Sequence, residues 1–243
     1  MSKPNVHDAW EVGPHETIEQ LDDGLLTVAG DIRMPLGNFP RRMTVVGLSG
    51  GRSAIWSAIP LHERAMEQIE ALGDPAFLIV PGVAHRLDIK PWKRRYPAMQ
   101  VLCPPGARDA VEEVIPVDLT DDVFGDPDVH FETVPGVGGK EGALIVRRGD
   151  ATTMIVNDIL AYVHHPHGIG AHIMARLMGF GVKEPQIPWV GKRMFVEDEA
   201  ALASAFRHWA NLPGLARIVV SHGDVIVDDP KAVLETVAEG LKS

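Results

Sequence analysis

At 243 residues, 45% hydrophobic and 23% charged, the chain has ordinary globular usage and enough length to bury a core without disulfides or metal. Acidic residues outnumber basic ones 33 to 23, a formal charge of −10, which excludes the basic footprint on which nucleic-acid binding rests. A single cysteine excludes an intrachain disulfide, and apolar runs far shorter than the ~20 residues of a membrane span exclude a transmembrane helix, so the sequence reads as a cytoplasmic protein.

Residues 1–23 are polar and unpatterned, without the apolar core of a signal peptide, and read as a surface arm of one domain covering 1–243. Gly24–Gly30 is the first expected strand. Met43–Leu48 and Ser53–Ser57 form a hairpin around Ser49-Gly50-Gly51-Arg52. Leu61, Ala65, Ile69 and Leu72 share one face of a helix that Gly73-Asp74-Pro75 stops. Ala76–Val80, apolar throughout, suits a buried strand and runs into Pro81-Gly82-Val83-Ala84-His85-Arg86-Leu87-Asp88. A basic helix at Pro91–Tyr96, a strand at Met99–Cys103, a helix at Ala107–Val114 and a strand at Val129–Val134 follow.

The second half repeats this grammar. Ala143–Arg147 and Thr152–Val156 make a hairpin, helices are expected at Ile169–Met178 and Glu199–Asn211, and Ala216–Val220 is a buried strand. It ends in Ser221-His222-Gly223-Asp224, before a last helix at Pro230–Leu241. Each half thus places a histidine, His85 or His222, just past a buried strand, where ligands of α/β sheets gather.

Other motifs carry less. Gly47-Leu48-Ser49-Gly50-Gly51 fits a nucleophile elbow in letters, but a strand follows where the elbow needs a helix, which dismisses an α/β-hydrolase reading. Val134–Glu141 lacks the first glycine and the Ser/Thr of a phosphate loop. The acidic stretch from Asp118 to Asp128 lacks calcium-loop spacing, and Cys103 on its strand reads as an inert buried thiol. By contrast, His85 and His222 with Asp158 after the strand ending at Asn157, and with Asp88, supply the two imidazoles and one or two carboxylates of a zinc or non-haem iron site. The competing reading is that these groups cap loops and pair with one another.

With these pieces in order, the chain from Leu25 to Leu241 resembles the metallo-β-lactamase fold superfamily. The family's His-x-His-x-Asp-His motif falls on Val83–Asp88: His85 matches the second histidine, Asp88 stands at the last, and Val83 and Leu87 replace the first histidine and the aspartate. The next family histidine is missing near Gly136-Val137-Gly138, whereas Asp158 matches the bridging aspartate and His222 the last histidine. Pro-x-x-x-His, Asn-Asp and Ser-His-Gly-Asp together are similar to a bacterial branch of the superfamily with an incomplete ligand set.

The resemblance implies an α/β, four-layer αββα sandwich and a reduced, mononuclear site of His85, Asp88, Asp158 and His222 holding one divalent metal, zinc or iron, or no metal at all. Asp224 is then expected to fix a histidine tautomer, Arg86 or Lys90 to hold an anionic substrate, and His165, with His164 and His167 beside it, to replace a missing ligand. Because Leu87 cannot accept a proton, the lactamase-like mechanism does not carry over intact. Two functions stay open: a metal-dependent hydrolase-like protein acting on a small molecule, or a non-catalytic scaffold that binds a small molecule or a protein. No nucleic-acid or membrane partner is expected.

Overall fold

The computed structural model describes residues 6–34, 37–164 and 179–241; the helix expected at Ile169–Met178, and His165, His167 and His172, lie outside them. Two sheets form the centre. The first holds six strands in sequence order: β1 (Glu19–Asp22), β2 (Leu25–Met34), β3 (Gly37–Leu48), β4 (Arg52–Trp56), β5 (Asp74–Ile79) and β6 (Gln100–Leu102). The second holds β7 (Val129–Thr133), β8 (Gly142–Arg148), β9 (Ala151–Val156) and β10 (Leu215–Val220) in the order β10-β9-β8-β7. Hairpin neighbours pair antiparallel, whereas β5 lies parallel to β4 and β10 parallel to β9.

Period-two alternation sets the layers. On β4, Ile55 faces Met66 and Ile69 of α1 (Glu63–Leu72), while Ala54 and Trp56 face the other sheet. On β9, Ile155 faces the first sheet, while Met154 and Val156 meet Leu202 and Phe206 of α5 (Glu199–Ala210) and Leu234 of α6 (Pro230–Glu239). Short helices α2 (Ile89–Arg95) and α3 (Arg108–Glu112) complete the first outer layer, and α4 (Trp189–Phe195) precedes α5. Strands buried on both faces explain the continuous apolar runs of β5 and β10. The result is helix, sheet, sheet, helix, as the resemblance implied. No helix among the described residues is long and apolar enough to cross a membrane.

Three features depart from the sequence reading. The strand expected at Gly24–Gly30 runs on to Met34 and pairs antiparallel with β3, which begins at Gly37 and not at Met43; backbone pairing from Asp31↔Pro40 to Met34↔Gly37 extends it, with Phe39 buried and Ile32 packed beside it. Helix α4 was not anticipated. The stretch 1–23 is also more than a surface arm: Glu19–Asp22 form the edge strand β1, and Trp10 packs its ring 5.2 Å from that of Trp92, donates from Nε1 to the Leu61 carbonyl and lies under the Arg95 guanidinium.

That docking is measurable. Trp10→Ala is expected to lower unfolding stability by roughly 2 kcal/mol, about half the loss for a fully buried large aromatic, with Trp10→Phe recovering much of it. Urea denaturation tests this; an unchanged midpoint for Trp10→Ala would mean the arm does not contribute to the fold.

Candidate metal centre

Parallel pairing of β4 with β5 and of β9 with β10 brings the carboxyl ends of these four strands to one edge of the sandwich. The residues just beyond them form the site: Ser57 after β4, His85 after β5, Asp158 after β9 and His222 after β10. His85 Nε2 lies 3.2 Å from His222 Nε2, while Asp158 Oδ1 lies 3.1 Å from His222 Nε2 and 3.6 Å from His85 Nε2. All three side chains are nearly buried.

The outer nitrogens decide what the inner ones can do. Nδ1 of His222 sits 2.8 Å from the Pro40 carbonyl oxygen, which has no proton to give, so Nδ1 donates and Nε2 is the ring atom turned to Asp158. Nδ1 of His85 sits 2.8 Å from Ser57 Oγ. Ser57 adopts a left-handed φ of 53°, a conformation costing roughly 1–2 kcal/mol for a residue with a side chain. Its N–H donates to the Ile79 carbonyl, and its hydroxyl reaches His85. The rings of Phe39 and Phe180 lie 4.9 and 5.6 Å from that of His222 and shield it from solvent.

Charge states follow from burial and neighbours. Burial pushes the His85 imidazole towards its neutral form, against the pull of Asp158. Burial also opposes ionisation of Asp158, yet the charges and hydrogen bonds of the two histidines outweigh it and hold that carboxyl well below the usual carboxylate range. Glu141 behaves in the opposite way. Fully buried and beside the Asp158 charge, it is driven well above the usual range and stays neutral.

Glu141 also shapes the turn that carries Asp158. Its Oε2 accepts from Asn157 Nδ2 at 2.9 Å and from the Asp158 N–H at 3.2 Å. Room for it comes from Gly82, where a Cβ would fall 2.1 Å from Glu141 Oε1. Neither Ser57, Glu141 nor the Pro40 carbonyl carries a sequence signal for this role. A glycine three residues before a strand-end histidine was the one available hint of close packing there.

Of the residues expected at the site, the structure brings His85, Asp158 and His222 together as a group able to hold a metal ion, and separates the rest. Asp88 is not with them. It is buried at the start of α2, accepting from His7 Nδ1 at 2.8 Å and from Arg41, whose guanidinium supplies the countercharge that a metal was expected to give. Arg86 and Lys90 do not face the site either. Arg86, on the loop before α2, bonds the Ala110 carbonyl and Glu113, and Lys90 of α2 pairs with Asp8 of the arm. Asp224 does not set a histidine tautomer, since Pro40 takes that place; its N–H donates to the Tyr162 carbonyl and it lines a separate cavity of about 430 Å³ with Arg42. His164 stacks on Tyr162, and His165 lies outside the described residues. Burial pushes the Cys103 thiol up to about 11, in keeping with an inert side chain.

No protein-family model matches the chain, and no curated protein matches it. Solved structures do. The metallo-β-lactamase FIM-1 from Pseudomonas aeruginosa, in a mono-zinc form, aligns over 98% of both chains with a TM-score of 0.60 at 11% identity. A metallo-β-lactamase from Hirschia baltica aligns over 93% of this chain and 98% of its own, with a TM-score of 0.59 at 10% identity. One from Erythrobacter litoralis aligns over 92% and 96%, with a TM-score of 0.60 at 12% identity. Two sheets between helical layers, matched over nearly the full length at such low identity, make this chain a divergent member of the metallo-β-lactamase fold.

Proposed function

We propose that the protein is a metal-dependent hydrolase whose mononuclear centre is held by His85, Asp158 and His222. One observation carries this reading. The three donor atoms form a triangle with edges of 3.1, 3.2 and 3.6 Å, and ligand atoms about 2.0–2.1 Å from a tetrahedral zinc ion are separated by about 3.3 Å. At 3.1 Å, His222 Nε2 and the ionised Asp158 carboxylate attract only when a positive charge lies between them, either a proton on the ring or a metal ion. A bound zinc or iron ion would supply Lewis acidity, lowering the pKa of water and polarising a substrate oxygen.

The chain's own residues do the rest. Pro40 and Ser57 aim the two imidazoles, Glu141 holds the Asp158 turn, and Phe39 and Phe180 limit water. Leu87 stands where the family's aspartate would take a proton, and Asp88 is committed to Arg41. With no carboxylate base there, turnover is confined to substrates with good leaving groups, such as aryl esters and thioesters. Arg41 favours a second reading, a non-catalytic scaffold: its charge lies close enough to disfavour a cation on His85, and such a charge also disfavours a bound metal.

Titrating zinc or iron(II) into metal-free protein separates the two readings. About one equivalent is expected to bind, His222→Ala should abolish it, and Ser57→Ala should weaken it roughly 10- to 100-fold, as loss of an orienting partner does. Calorimetry and metal analysis give the answer, and protein that takes up no metal would leave only the scaffold.

Glu141 gives a test by pH. Its folded pKa is raised above the unfolded value near 4.5, so the stability linked to its proton is complete below that value and lost as pH rises through the folded pKa. In metal-free protein, Glu141→Gln, which keeps the shape of the neutral acid, should therefore gain on the wild type as pH rises, by up to about 1.4 kcal/mol per pH unit below the folded pKa. Parallel stability curves from pH 5 to 9 would mean that Glu141 is ionised throughout.

A further inference from the structure

We infer that the substrate presents to this centre an uncharged acyl group ending in a compact apolar moiety about the size of a phenyl ring; the inference rests on the hydrolase reading and adds the substrate class to it. Beside the three donors lies a cavity of about 190 Å³, with Asp158 and His222 at one end and Phe180, Val190, Met194 and Phe195 among its walls. Apart from the two donor residues, no described residue lining it is ionisable. Lys192, one residue along from the lining Gly191 on α4, turns away to pair with Glu199 at 3.1 Å. The basic side chains of α2 are spent elsewhere: Lys90 on Asp8, Lys93 on the Met99 carbonyl and Arg95 on Glu63. Away from the donor end, no residue lining this space offers a carboxylate or phosphate a countercharge for its lost hydration, whereas carbon would gain by leaving water.

The cavity is fixed relative to the donors. Gly191 lets α4 lie directly on the turn that carries Asp158, since a Cβ there would fall 2.9 Å from the Asp158 carbonyl oxygen. Met194 is 58% exposed and flexible enough to form an adaptable lip. An apolar cavity of about 150 Å³ accepts a benzene ring, so the volume here fits a phenyl group or an aliphatic equivalent of about six carbons. With a carbonyl at the donor end, the reaction is hydrolysis of a neutral ester or thioester. The water oxygen bonds to the acyl carbon, the carbon–oxygen or carbon–sulfur bond breaks, the leaving atom takes one water proton and the acid releases the other.

A binding readout tests this without requiring metal or turnover. Metal-free protein carrying ¹³C-methyl methionine is titrated with phenylacetamide, with its 4-carboxy analogue and with acetamide, and the Met194 methyl signal is assigned by its loss in Met194→Leu. Phenylacetamide is expected to shift that signal saturably, with the carboxy analogue and acetamide each at least about tenfold weaker. Val190→Trp, which fills the space, should remove the shift; because it can disturb packing, Met194→Glu at the exposed lip is the second variant, expected to weaken phenylacetamide about tenfold without changing metal stoichiometry. An unmoved Met194 signal, or tighter binding of the carboxy analogue, overturns the inference. A Met194 shift in protein that binds no metal overturns the hydrolase reading while upholding the apolar subsite; metal-dependent cleavage of acetyl and phenylacetyl thioesters at equal kcat/KM does the reverse.

Discussion

Three electron-rich atoms, two imidazole nitrogens and a carboxylate oxygen, lie within 3.6 Å of one another in a nearly dry corner of the sandwich. Left to themselves they would separate. They are held by contacts behind them: a backbone carbonyl on one ring, a serine in a strained conformation on the other, and a neutral carboxyl under the aspartate's turn. Pro40 lies within β3 of the first sheet, whereas His222 follows β10 of the second, so the triangle depends on both sheets stacking in register. Trp56, the last residue of β4, ties that stacking together by donating across the interface to Ser221, next to His222.

The separation of Asp88 from the three donors has an electrostatic logic. Asp88 is buried and needs a countercharge, because an isolated buried carboxylate is very costly. Arg41 on β3 provides one, with His7 of the arm on the other oxygen. Once a guanidinium occupies that ground, a second metal beside it would face a fixed positive charge. Val83 and Leu87 on the loop before α2, and the buried Val137, have no metal-binding atoms to offer.

What the sequence made visible was whatever depends on local pattern. Buried strands announced themselves as apolar runs, and His85, Asp158 and His222 could be found because each follows such a run directly. Ser57 was hidden because it looks like one more strand residue; only its backbone conformation distinguishes it. Glu141 was taken for part of a glycine loop, since its partners Asn157 and Asp158 lie sixteen and seventeen positions away. The Pro40 carbonyl could not be read at all, because a backbone acceptor leaves no trace in residue type. Asp88 misled for the reverse reason: it stands in the right place in a motif, and what removes it from the site is an arginine 47 positions earlier. Arg86 and Lys90 looked available because their acidic partners are likewise distant in sequence.

The same electrostatics argues for one ion rather than two. Glu141 and Asp158 are buried neighbours, and their environments push their ionisation in opposite directions, Glu141 towards the protonated form and Asp158 towards the ionised one. The centre then offers one anion and two imidazoles, of which burial drives His85 neutral. A single divalent cation would leave one net positive charge, which a hydroxide or a polarised substrate oxygen could balance. A second cation would require further anionic donors in the same corner. Among the described residues, Asp88 is already paired with Arg41, and burial pushes Glu141 towards its protonated form. The proposed centre and the distribution of charge around it are therefore compatible with one ion and not with two.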